Sequence, residues 1–277
     1  MTNGRVRHVV VAFAFLAGCG TADFEQASKG PVSWEEFKGQ AHQEPDTGAY
    51  IFNGDELAET EALLAEAYER YVSEFGADGT RVAQDPLIVN RVGGVDDKWS
   101  ATTAANLTYC IRKSTFTTAQ YNAVVSAMNS ATAAWEATAR VNFVHNSALD
   151  TSTNCRSSNT SVVFNIRRVT TSQYLARAFF PSTSRSGREI LIASSSFGNI
   201  SPWTLTGVLR HELGHTIGFR HEHTRPESGT CFEDSSWRAL TSYDSSSVMH
   251  YPQCNGTQTG DLVLTNLDKQ GAASLYP

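Results

Sequence analysis

Three histidines and one glutamate with the spacing of metal ligands lie within residues 211–221. Residues four apart share one face of a helix, so His211 and His215 can direct their imidazole rings at one point, with Glu212 beside them. Gly218 can adopt a positive φ, end the helix and turn the chain back, which makes His221 available as a third nitrogen ligand. Three protein ligands leave one position of a tetrahedral zinc ion open to water, and this is the arrangement of a catalytic site.

The chemistry that this pattern predicts is hydrolysis by an activated water molecule. Zinc held by three neutral imidazoles lowers the pKa of its bound water to about 7, and Glu212 is placed to take the proton as the water attacks a carbonyl carbon. The alternative is a chance arrangement of two histidines and a glutamate on an amphipathic helix. That alternative must also account for Gly218 and His221, so the extended pattern favours the zinc site.

A second motif at 247–252 follows the histidines, and together the two motifs resemble those of the metzincin metallopeptidases. In that family a turn of this kind places a methionine beneath the metal, a position that Met249 matches. In the astacin and serralysin branches the tyrosine two residues later lies near the zinc, a position that Tyr251 matches. Glu222, directly after the third histidine, also resembles the astacins. The closer likeness is to bacterial peptidases of the myxobacterial protease B type, with Leu213 replacing the isoleucine of their His-Glu-Ile-Gly-His motif.

The resemblance covers about residues 99–277 and departs from the astacin pattern over 224–229, where the distance to the methionine is short. It implies an α+β metzincin zinc-protease fold with a twisted, mostly parallel upper sheet, an active-site helix and a small C-terminal subdomain. It also implies that the Tyr251 hydroxyl stabilises negative charge on the substrate oxygen, and that the substrate is a protein or peptide.

The periodicity of the chain agrees with that fold class. Strands are predicted at 107–111, 141–145, 162–166 and 189–193, a long helix at 117–139, and a closing helix after Thr265. Strands that alternate with a long helix favour a mostly parallel sheet. By resemblance, the strand at 189–193 is the sheet edge along which an extended substrate peptide pairs.

The first residues have the layout of a bacterial export signal. Arg5 and Arg7 precede an apolar run at 9–17 that is too short for a permanent membrane helix. The run ends in a sequence that resembles a lipobox, so residues 1–19 are predicted to be a lipoprotein signal peptide with Cys19 as the lipidation site. The alternative is a plain signal peptide in which Cys19 is incidental. Both alternatives place the protein outside the cytoplasm, and the lipid would hold it in the cell envelope, in the periplasm or at the outer membrane.

The cysteine count agrees with export. Apart from the lipobox cysteine, the chain contains four more: Cys110, Cys155, Cys231 and Cys254. An even number in an oxidising compartment predicts two disulfides, which can be paired in three ways. We favour Cys110–Cys155 and Cys231–Cys254 because each closes a local loop, the second one between the third histidine and the methionine turn.

An acidic segment precedes the histidine-bearing domain. Residues 20–80 contain 14 of the 28 acidic residues and 3 basic ones, whereas residues 81–277 contain 14 acidic and 17 basic residues. The two parts therefore carry complementary charge, and we expect no binding to nucleic acid. We predict an acidic prosegment at 20–90, with an amphipathic helix at about 56–75, ahead of a catalytic domain at 91–277.

The motif at 52–55, ahead of that helix, resembles the Phe-x-Gly-Asp motif of astacin propeptides, in which the aspartate occupies the open position on zinc and keeps the zymogen latent. A carboxylate is a good zinc ligand, so Asp55 is the predicted latency switch. The alternative is an ordinary Asn-Gly-Asp turn in which Asp55 caps the following helix.

The sequence thus predicts a secreted, monomeric, zinc-dependent endopeptidase with one Zn²⁺ per chain and with Glu212 and Tyr251 as catalytic residues. Its expected partners are a protein or peptide substrate and, before processing, the membrane, through a lipid on Cys19. Cleavage near Arg81 or Arg91 would remove the prosegment and release the enzyme from the envelope. The alternative function is that of a non-catalytic envelope lipoprotein that uses the metzincin fold as a binding scaffold.

Overall fold

A computed structural model describes residues 30–73, 75 and 88–277, so the signal peptide with Cys19, and Arg81, lie outside the described residues. The helices are α1 (Trp34–Gln40), α2 (Glu61–Ser73), α3 (Ala101–Ala104), α4 (Thr118–Glu136), α5 (Leu205–Thr216) and α6 (Asn266–Leu275). The strands are β1 (His42–Gln43), β2 (Tyr50–Phe52), β3 (Glu56–Ala58), β4 (Ile88–Val92), β5 (Val95–Asp96), β6 (Leu107–Ile111), β7 (Phe143–His145), β8 (Phe164–Val169), β9 (Ala176–Arg177), β10 (Glu189–Ala193) and β11 (Trp237–Ala239). Within the described ranges, no helix combines the length and the apolar character that crossing a bilayer requires.

A five-stranded sheet in the order β7-β6-β8-β10-β9 forms the centre of the fold. Tyr109 of β6 lies opposite His145 on one side and Phe164 on the other, both in parallel register, and β10 is parallel to β8. Of these five strands, β9 is the antiparallel one, with Leu191 opposite Arg177. The predicted α+β class with a mostly parallel sheet is confirmed, as are the strands at 107–111 and 189–193.

The sheet edge next to the histidine helix differs from the expectation. The resemblance predicts Glu189–Ala193 as the edge strand, and this is wrong, because β10 has β8 on one side and β9 on the other. Two residues of β9 are too few to produce an alternating pattern in the sequence, so periodicity does not reveal this strand. The edge that another peptide could join on this side is therefore β9.

The long helix α4 packs against α5 and holds it on the core. Thr117 caps α4: its hydroxyl accepts from the N–H of Gln120 at 3.2 Å, and the Gln120 side chain accepts from the N–H of Thr117 at 3.0 Å. Near the other end, the Trp135 indole N–H donates to the main-chain oxygen of Arg210 at 2.9 Å, and its ring stacks on Phe219 with centroids 5.4 Å apart. Trp135 thus fixes both α5 and the turn that follows it.

A small sheet in the order β11-β4-β5 supports the same turn. The N–H of Asn90 donates to Gly218 O at 2.8 Å, and the N–H of Arg220 donates to Ile88 O at 3.1 Å. The predicted domain boundary at residue 90 falls inside β4. Because β4 bonds to residues 218–220 and 237–239, we treat residues 88–277 as the main domain.

Residues 30–73 and 75, here called the front segment, form a smaller unit on the main domain. β1, β2 and β3 make an antiparallel sheet, and Tyr50, Phe52 and Leu64 are buried in a separate apolar cluster. α1 and α2 flank this sheet and contact each other. The front segment therefore has a small core of its own.

The helix of the front segment begins later than predicted. Residues 56–58 form β3, and α2 starts after Thr60, whose hydroxyl accepts from the N–H of Leu63 at 3.2 Å. The predicted start at about residue 56 is therefore wrong, and so is the alternative in which Asp55 caps this helix. The side chain of Asp55 is buried elsewhere, against the histidines.

Three acidic residues of the front segment pair with arginines of the main domain. The pairs are Glu44 with Arg177 at 2.8 Å, Asp46 with Arg167 at 3.0 Å and Glu56 with Arg220 at 3.1 Å. The complementary charge that the sequence predicts is thus found in direct contacts between the two units.

Both favoured disulfides are confirmed. Cys110 is joined to Cys155 and Cys231 to Cys254, with Cα atoms 5.9 Å and 5.6 Å apart, within the ordinary range. The first bond ties β6 to the loop after β7, in a buried cluster with Val162. The second closes the segment between the third histidine and the methionine turn.

Candidate active site

Helix α5 brings His211, Glu212 and His215 to the base of a cleft. Thr204 begins the helix, because its hydroxyl accepts from the N–H of Gly207 at 2.9 Å and so satisfies one of the free amides of the first turn. All three side chains at the base of the cleft are buried, and they lie on the helix side that faces the front segment. The predicted helix through 211–215 is confirmed.

Gly218 turns the chain so that His221 joins the other two histidines. Its φ is +100°, in the left-handed region that favours glycine. A Cβ atom at this position would also collide with the main-chain oxygen of Asp97. The predicted chain reversal at Gly218 is confirmed, and His221 is fully buried beside the helix.

Each of the three imidazole rings is held through its Nδ1 atom. The partners are Val248 O for His211 at 2.7 Å, Phe219 O for His215 at 2.8 Å and Glu233 Oε1 for His221 at 2.5 Å. Carbonyl and carboxylate oxygens accept hydrogen bonds, so these partners place the ring proton at Nδ1 and leave a lone pair at Nε2. The three rings therefore present the atoms that bind a metal.

The three Nε2 atoms face a single carboxylate, that of Asp55. Its oxygens lie 3.3 Å from His211, 3.5 Å from His215 and 3.0 Å from His221. Within the described part of the chain, these Nε2 atoms and Asp55 Oδ1 are buried without a hydrogen-bond partner, and one ligand atom from each residue lies within 4.8 Å of the others. Buried polar atoms without partners call for an explanation, and three imidazoles with a carboxylate are a donor set for zinc. The residues present therefore fit a metal ion.

Burial and charge act in opposite directions on these groups. Burial lowers the pKa of His215 to about 4, which keeps the ring neutral, as a metal ligand must be. Burial also lowers the pKa of His221, but the carboxylates of Glu233 and Asp55 raise it well above its usual value. Burial raises the pKa of Asp55, but His221 and His215 lower it well below its usual range. The carboxylates of Asp55 and Glu233 therefore favour positive charge at His221, which a bound metal ion would supply in place of a proton on Nε2.

Met249 lies beneath the histidine helix, where the resemblance places the methionine of the turn. Its side chain is buried, and its sulfur approaches Gly214 so closely that a Cβ atom there would collide with it. The main-chain oxygen of Met249 accepts from the N–H of Glu222 at 2.8 Å. Glycine inside a helix costs stability relative to alanine, and here the close approach of Met249 explains it.

Tyr251 lies beside the histidines and donates to the same carboxylate. Its hydroxyl is 2.6 Å from Asp55 Oδ2, and its ring stacks on His211 with centroids 5.5 Å apart. Gly54 has φ +98°, and a Cβ atom there would lie 2.8 Å from the Tyr251 hydroxyl oxygen. The glycine of the 52–55 motif is therefore required both by its backbone conformation and by the approach of Tyr251.

Glu212 lies next to the ligand set and lines a cavity of about 170 Å³ together with Tyr174, His211 and Tyr251. Its Oε2 atom is buried and has no hydrogen-bond partner among the described residues. Burial, and then the charge of Asp55, raise the pKa of Glu212 well above its usual value. A raised pKa suits a carboxylate that accepts and returns a proton.

Sequence reasoning missed Glu233, which holds the third histidine. Besides its bond to His221, the carboxylate lies 2.9 Å from Arg220 Nη2 and 3.3 Å from His223 Nε2. A carboxylate on the second nitrogen of a ligand histidine fixes the ring orientation and increases its basicity. Glu233 follows His221 by 12 residues in an irregular segment, so no spacing rule connects them.

His223 and His250 have structural contacts. His223 Nδ1 accepts from the N–H of Tyr251 at 3.2 Å, and His250 Nε2 lies 2.8 Å from the Tyr243 hydroxyl oxygen. Both rings are buried. They support the loop that carries Tyr251, and the His223 ring stacks on those of His221 and Tyr251 with centroids 4.7 Å from each.

The sequence matches a family model, Reprolysin_5, described as metallo-peptidase family M12, over residues 58–258. The chain belongs to this family of metallopeptidases. Membership confirms the predicted metzincin-like fold and the enzyme class, a metalloendopeptidase of the zinc-dependent type, and it implies a metal, which the histidine cluster fits. It also implies that the family's substrates, proteins and peptides, are the substrates of this chain.

Many solved structures are similar to the chain, and two of them illustrate the low sequence identity. The first is the structure of myroilysin, with a TM-score of 0.47 and 17% identity, covering 69% of this chain and 98% of that one. The second is high choriolytic enzyme 1, a hatching enzyme zinc-protease from the medaka fish Oryzias latipes, with a TM-score of 0.34 and 20% identity, covering 56% of this chain and 72% of that one. A search of curated protein sequences finds no match.

Proposed function

We propose that this chain is an exported zinc endopeptidase that is made as a latent precursor, with Asp55 in the active site. The observation that carries the proposal is the contact of one carboxylate with three histidine Nε2 atoms and with the Tyr251 hydroxyl. One zinc ion per chain would be held by His211, His215 and His221, with Asp55 as the fourth ligand in the precursor. A carboxylate in that position excludes the water that the reaction needs.

When bound, zinc supplies a water molecule of lowered pKa and polarises the substrate carbonyl. Glu212 takes a proton from the attacking water and delivers it to the nitrogen of the leaving amine. The Tyr251 hydroxyl, which donates to Asp55 in the precursor, donates instead to the carbonyl oxygen of the substrate as negative charge develops there. Asp55 therefore occupies the positions of both the water and the substrate oxygen.

Activation in this proposal requires that the front segment leave. α2 ends at Ser73, and β4 begins at Ile88, which is fully buried in the main domain. A cut between these points would separate the two units and leave β4 whole, whereas a cut at Arg91 would divide it. Of the two cleavage sites considered from the sequence, Arg81 is therefore the better candidate.

Export is the second part of the proposal. The two disulfides support an oxidising compartment, and residues 1–19 have the layout of a lipoprotein signal. A lipid on Cys19 would hold the precursor at the membrane, and cleavage near Arg81 would release a monomeric enzyme without the lipid. Recovery of active enzyme that still carries the lipid would contradict this sequence of events.

The substitution Asp55→Ala tests the latency. In the uncut chain loaded with zinc, Asp55→Ala is expected to raise the hydrolysis of casein or gelatin above the wild-type background, because the hairpin of β2 and β3 loses its contacts with the three histidines and lifts from the cleft more often. The wild-type chain should reach full activity only after cleavage. The matched control is Asp46→Ala, which changes an aspartate of the same segment whose side chain is 52% exposed, and this variant should stay latent. An inactive Asp55→Ala precursor alongside an active processed wild type would refute the switch.

A chelator and the variant Glu212→Gln test the chemistry. Both are expected to abolish hydrolysis by the processed chain. Full activity in the presence of the chelator, or a loss of less than about tenfold in Glu212→Gln, would refute the zinc mechanism. If the processed wild-type chain binds peptides but hydrolyses none, the alternative of a non-catalytic scaffold is favoured.

A further inference from the structure

Arg177, on the edge strand β9, is a buried cation whose partner is the front segment. Its side chain is almost fully buried, as is that of Glu44. The guanidinium and the carboxylate meet as a fork, with Nη2 2.8 Å from Glu44 Oε2 and Nε 3.1 Å from Oε1. The Tyr174 hydroxyl donates to Glu44 Oε1 at 2.7 Å. Two side chains of the main domain thus enclose one carboxylate.

Both Glu44 and Arg177 are charged. Burial raises the pKa of Glu44, but the hydrogen bond and the charge of Arg177 lower it below its usual value. An ionised carboxylate and a guanidinium, both removed from water, are stable only while they are paired. Departure of the front segment therefore removes the carboxylate that faces Arg177 and leaves the guanidinium facing a space that water or another carboxylate can enter.

Arg177 differs in this respect from the other two arginines that pair with the front segment. Arg167 also contacts Glu189 at 3.2 Å, and Arg220 also contacts Glu233 at 2.9 Å, so both keep a carboxylate of the main domain. The second bond of Arg177 goes to the main-chain oxygen of Glu189 at 3.3 Å. In the part of the chain that the structure describes, Arg177 is thus the arginine of these three that loses its carboxylate when the front segment leaves.

The site of this arginine is next to the reaction centre. Tyr174 and Ala176 line the same cavity as Glu212 and Tyr251. The charge of Arg177 also reaches Glu212, whose pKa it lowers against the larger opposing effects of burial and Asp55. A peptide that lies along β9 and reaches Glu212 would therefore pass Tyr174 and Arg177.

We propose that Arg177 and Tyr174 form a substrate subsite for an acidic side chain, and that Glu44 occupies this subsite in the precursor. The proposal rests on the proposed endopeptidase function. It assigns the front segment a second contact, separate from Asp55: Glu44 covers the specificity pocket while Asp55 covers the metal ligands. The chemistry of recognition is that of a planar fork and a hydroxyl with a carboxylate, which an amide of the same shape cannot match.

Paired peptides test the subsite on the full chain after its processing. A quenched fluorescent peptide carries one Glu, moved position by position along either side of the cleaved bond, and each version is compared with its Gln counterpart. At one position, kcat/KM is expected to be roughly tenfold or more higher for Glu than for Gln. In Arg177→Met, the ratio at that position is expected to fall to about one. The matched control Arg167→Met changes an arginine of strand β8, which β10 separates from β9, and should keep the wild-type ratio.

A second measurement needs no hydrolysis and uses the uncut chain. Glu44→Ala empties the subsite while leaving the rest of the precursor in place, so propionate should fill it and raise the midpoint of thermal unfolding, whereas propionamide should not. The double variant Glu44→Ala, Arg177→Met should show no response to propionate.

Two results would overturn the subsite. One is a ratio of kcat/KM for Glu over Gln of about one at every position. The other is a thermal unfolding midpoint of Glu44→Ala that does not change when propionate is added. If no peptide is hydrolysed but propionate stabilises Glu44→Ala, the carboxylate pocket stands and the proposed endopeptidase function fails. If all peptides are hydrolysed without preference, the function stands and the subsite fails.

Discussion

The metal site and the contacts that cover it are built over very different distances along the chain. The three histidines and Glu212 come from residues 211–221. The covering contacts join residues far apart, with 133 positions between Glu44 and Arg177 and 196 between Asp55 and Tyr251. The first set needs one helix and one turn, whereas the second joins two units that a single stretch of chain connects. A single cut can therefore remove the cover and leave the site.

The largest loss is expected inside the site. Glu212→Gln in the processed chain should lower kcat/KM by about 10²–10⁴-fold, the usual contribution of a general base. Zinc content should stay at one per chain, because Glu212 lies beside the ligands without being one of them. Peptide hydrolysis and metal analysis of the same samples check both expectations, and a loss below about tenfold would exclude Glu212 as the base.

Tyr251 contacts both the metal site and Asp55 of the front segment, so removing its hydroxyl tests whether the two can be changed independently. Tyr251→Phe in the processed chain should lower kcat by about 10²–10³-fold, the effect of removing one donor to a developing oxyanion. In the precursor the same variant loses the hydrogen bond to Asp55 but keeps the contacts of Asp55 with the histidines. Steady-state kinetics with KM and kcat measured separately distinguish this role, since a change in KM alone would indicate substrate positioning.

Glu233 tests whether the site depends on a residue outside the local motif. Glu233→Gln should weaken zinc binding by about 10–100-fold, because the carboxylate orients His221 through its Nδ1 atom. Glu227→Gln is the matched control, since Glu227 pairs with Arg225 in the same segment and does not contact the histidines. Competition with a chromophoric chelator measures both affinities, and equal values would show that Glu233 does not support the metal site.

The smallest effect is expected at the exposed ion pair between the front segment and the main domain, that of Asp46 with Arg167. Asp46→Asn should lower the free energy of unfolding of the precursor by at most about 1 kcal/mol, because the Asp46 side chain is 52% exposed and its pair with Arg167 is screened by water. Glu44→Gln should cost more, since that pair is buried. Urea unfolding of both variants at low and high salt makes the comparison. If both variants lose the same free energy of unfolding, burial does not determine how strongly these ion pairs stabilise the precursor.

The local features of the chain were readable from the sequence because each depends on residues close together. Thr265 and the helix after it form as predicted, with the Thr265 hydroxyl accepting from the N–H of Asp268 at 3.1 Å. The turn at Gly218 and the spacing of the histidines also depend on residues that are close together in the sequence. The disulfides span 45 and 23 residues, but each joins two consecutive cysteines, so the order of the cysteines was enough to favour the pairing.

The features that the sequence did not reveal depend on tertiary contacts. Glu233 reaches His221 from an irregular segment, and Arg177 lies on a strand of two residues. The start of α2 moved because residues 56–58 pair with β2, which outweighs the helical spacing of Leu57 with the residues that follow. Periodicity cannot show which partner strand competes for a segment.

The turn at Gly54 has a consequence for unwanted proteolysis during biosynthesis. Asp55 touches three rings and a hydroxyl at once, and Gly54 lies directly under the Tyr251 ring. Rotation of one side chain therefore does not open the cleft, and the hairpin of β2 and β3 has to lift away as a body. Background hydrolysis by uncut chains should accordingly follow the melting of that hairpin on heating, and below that temperature uncut molecules should not cleave one another.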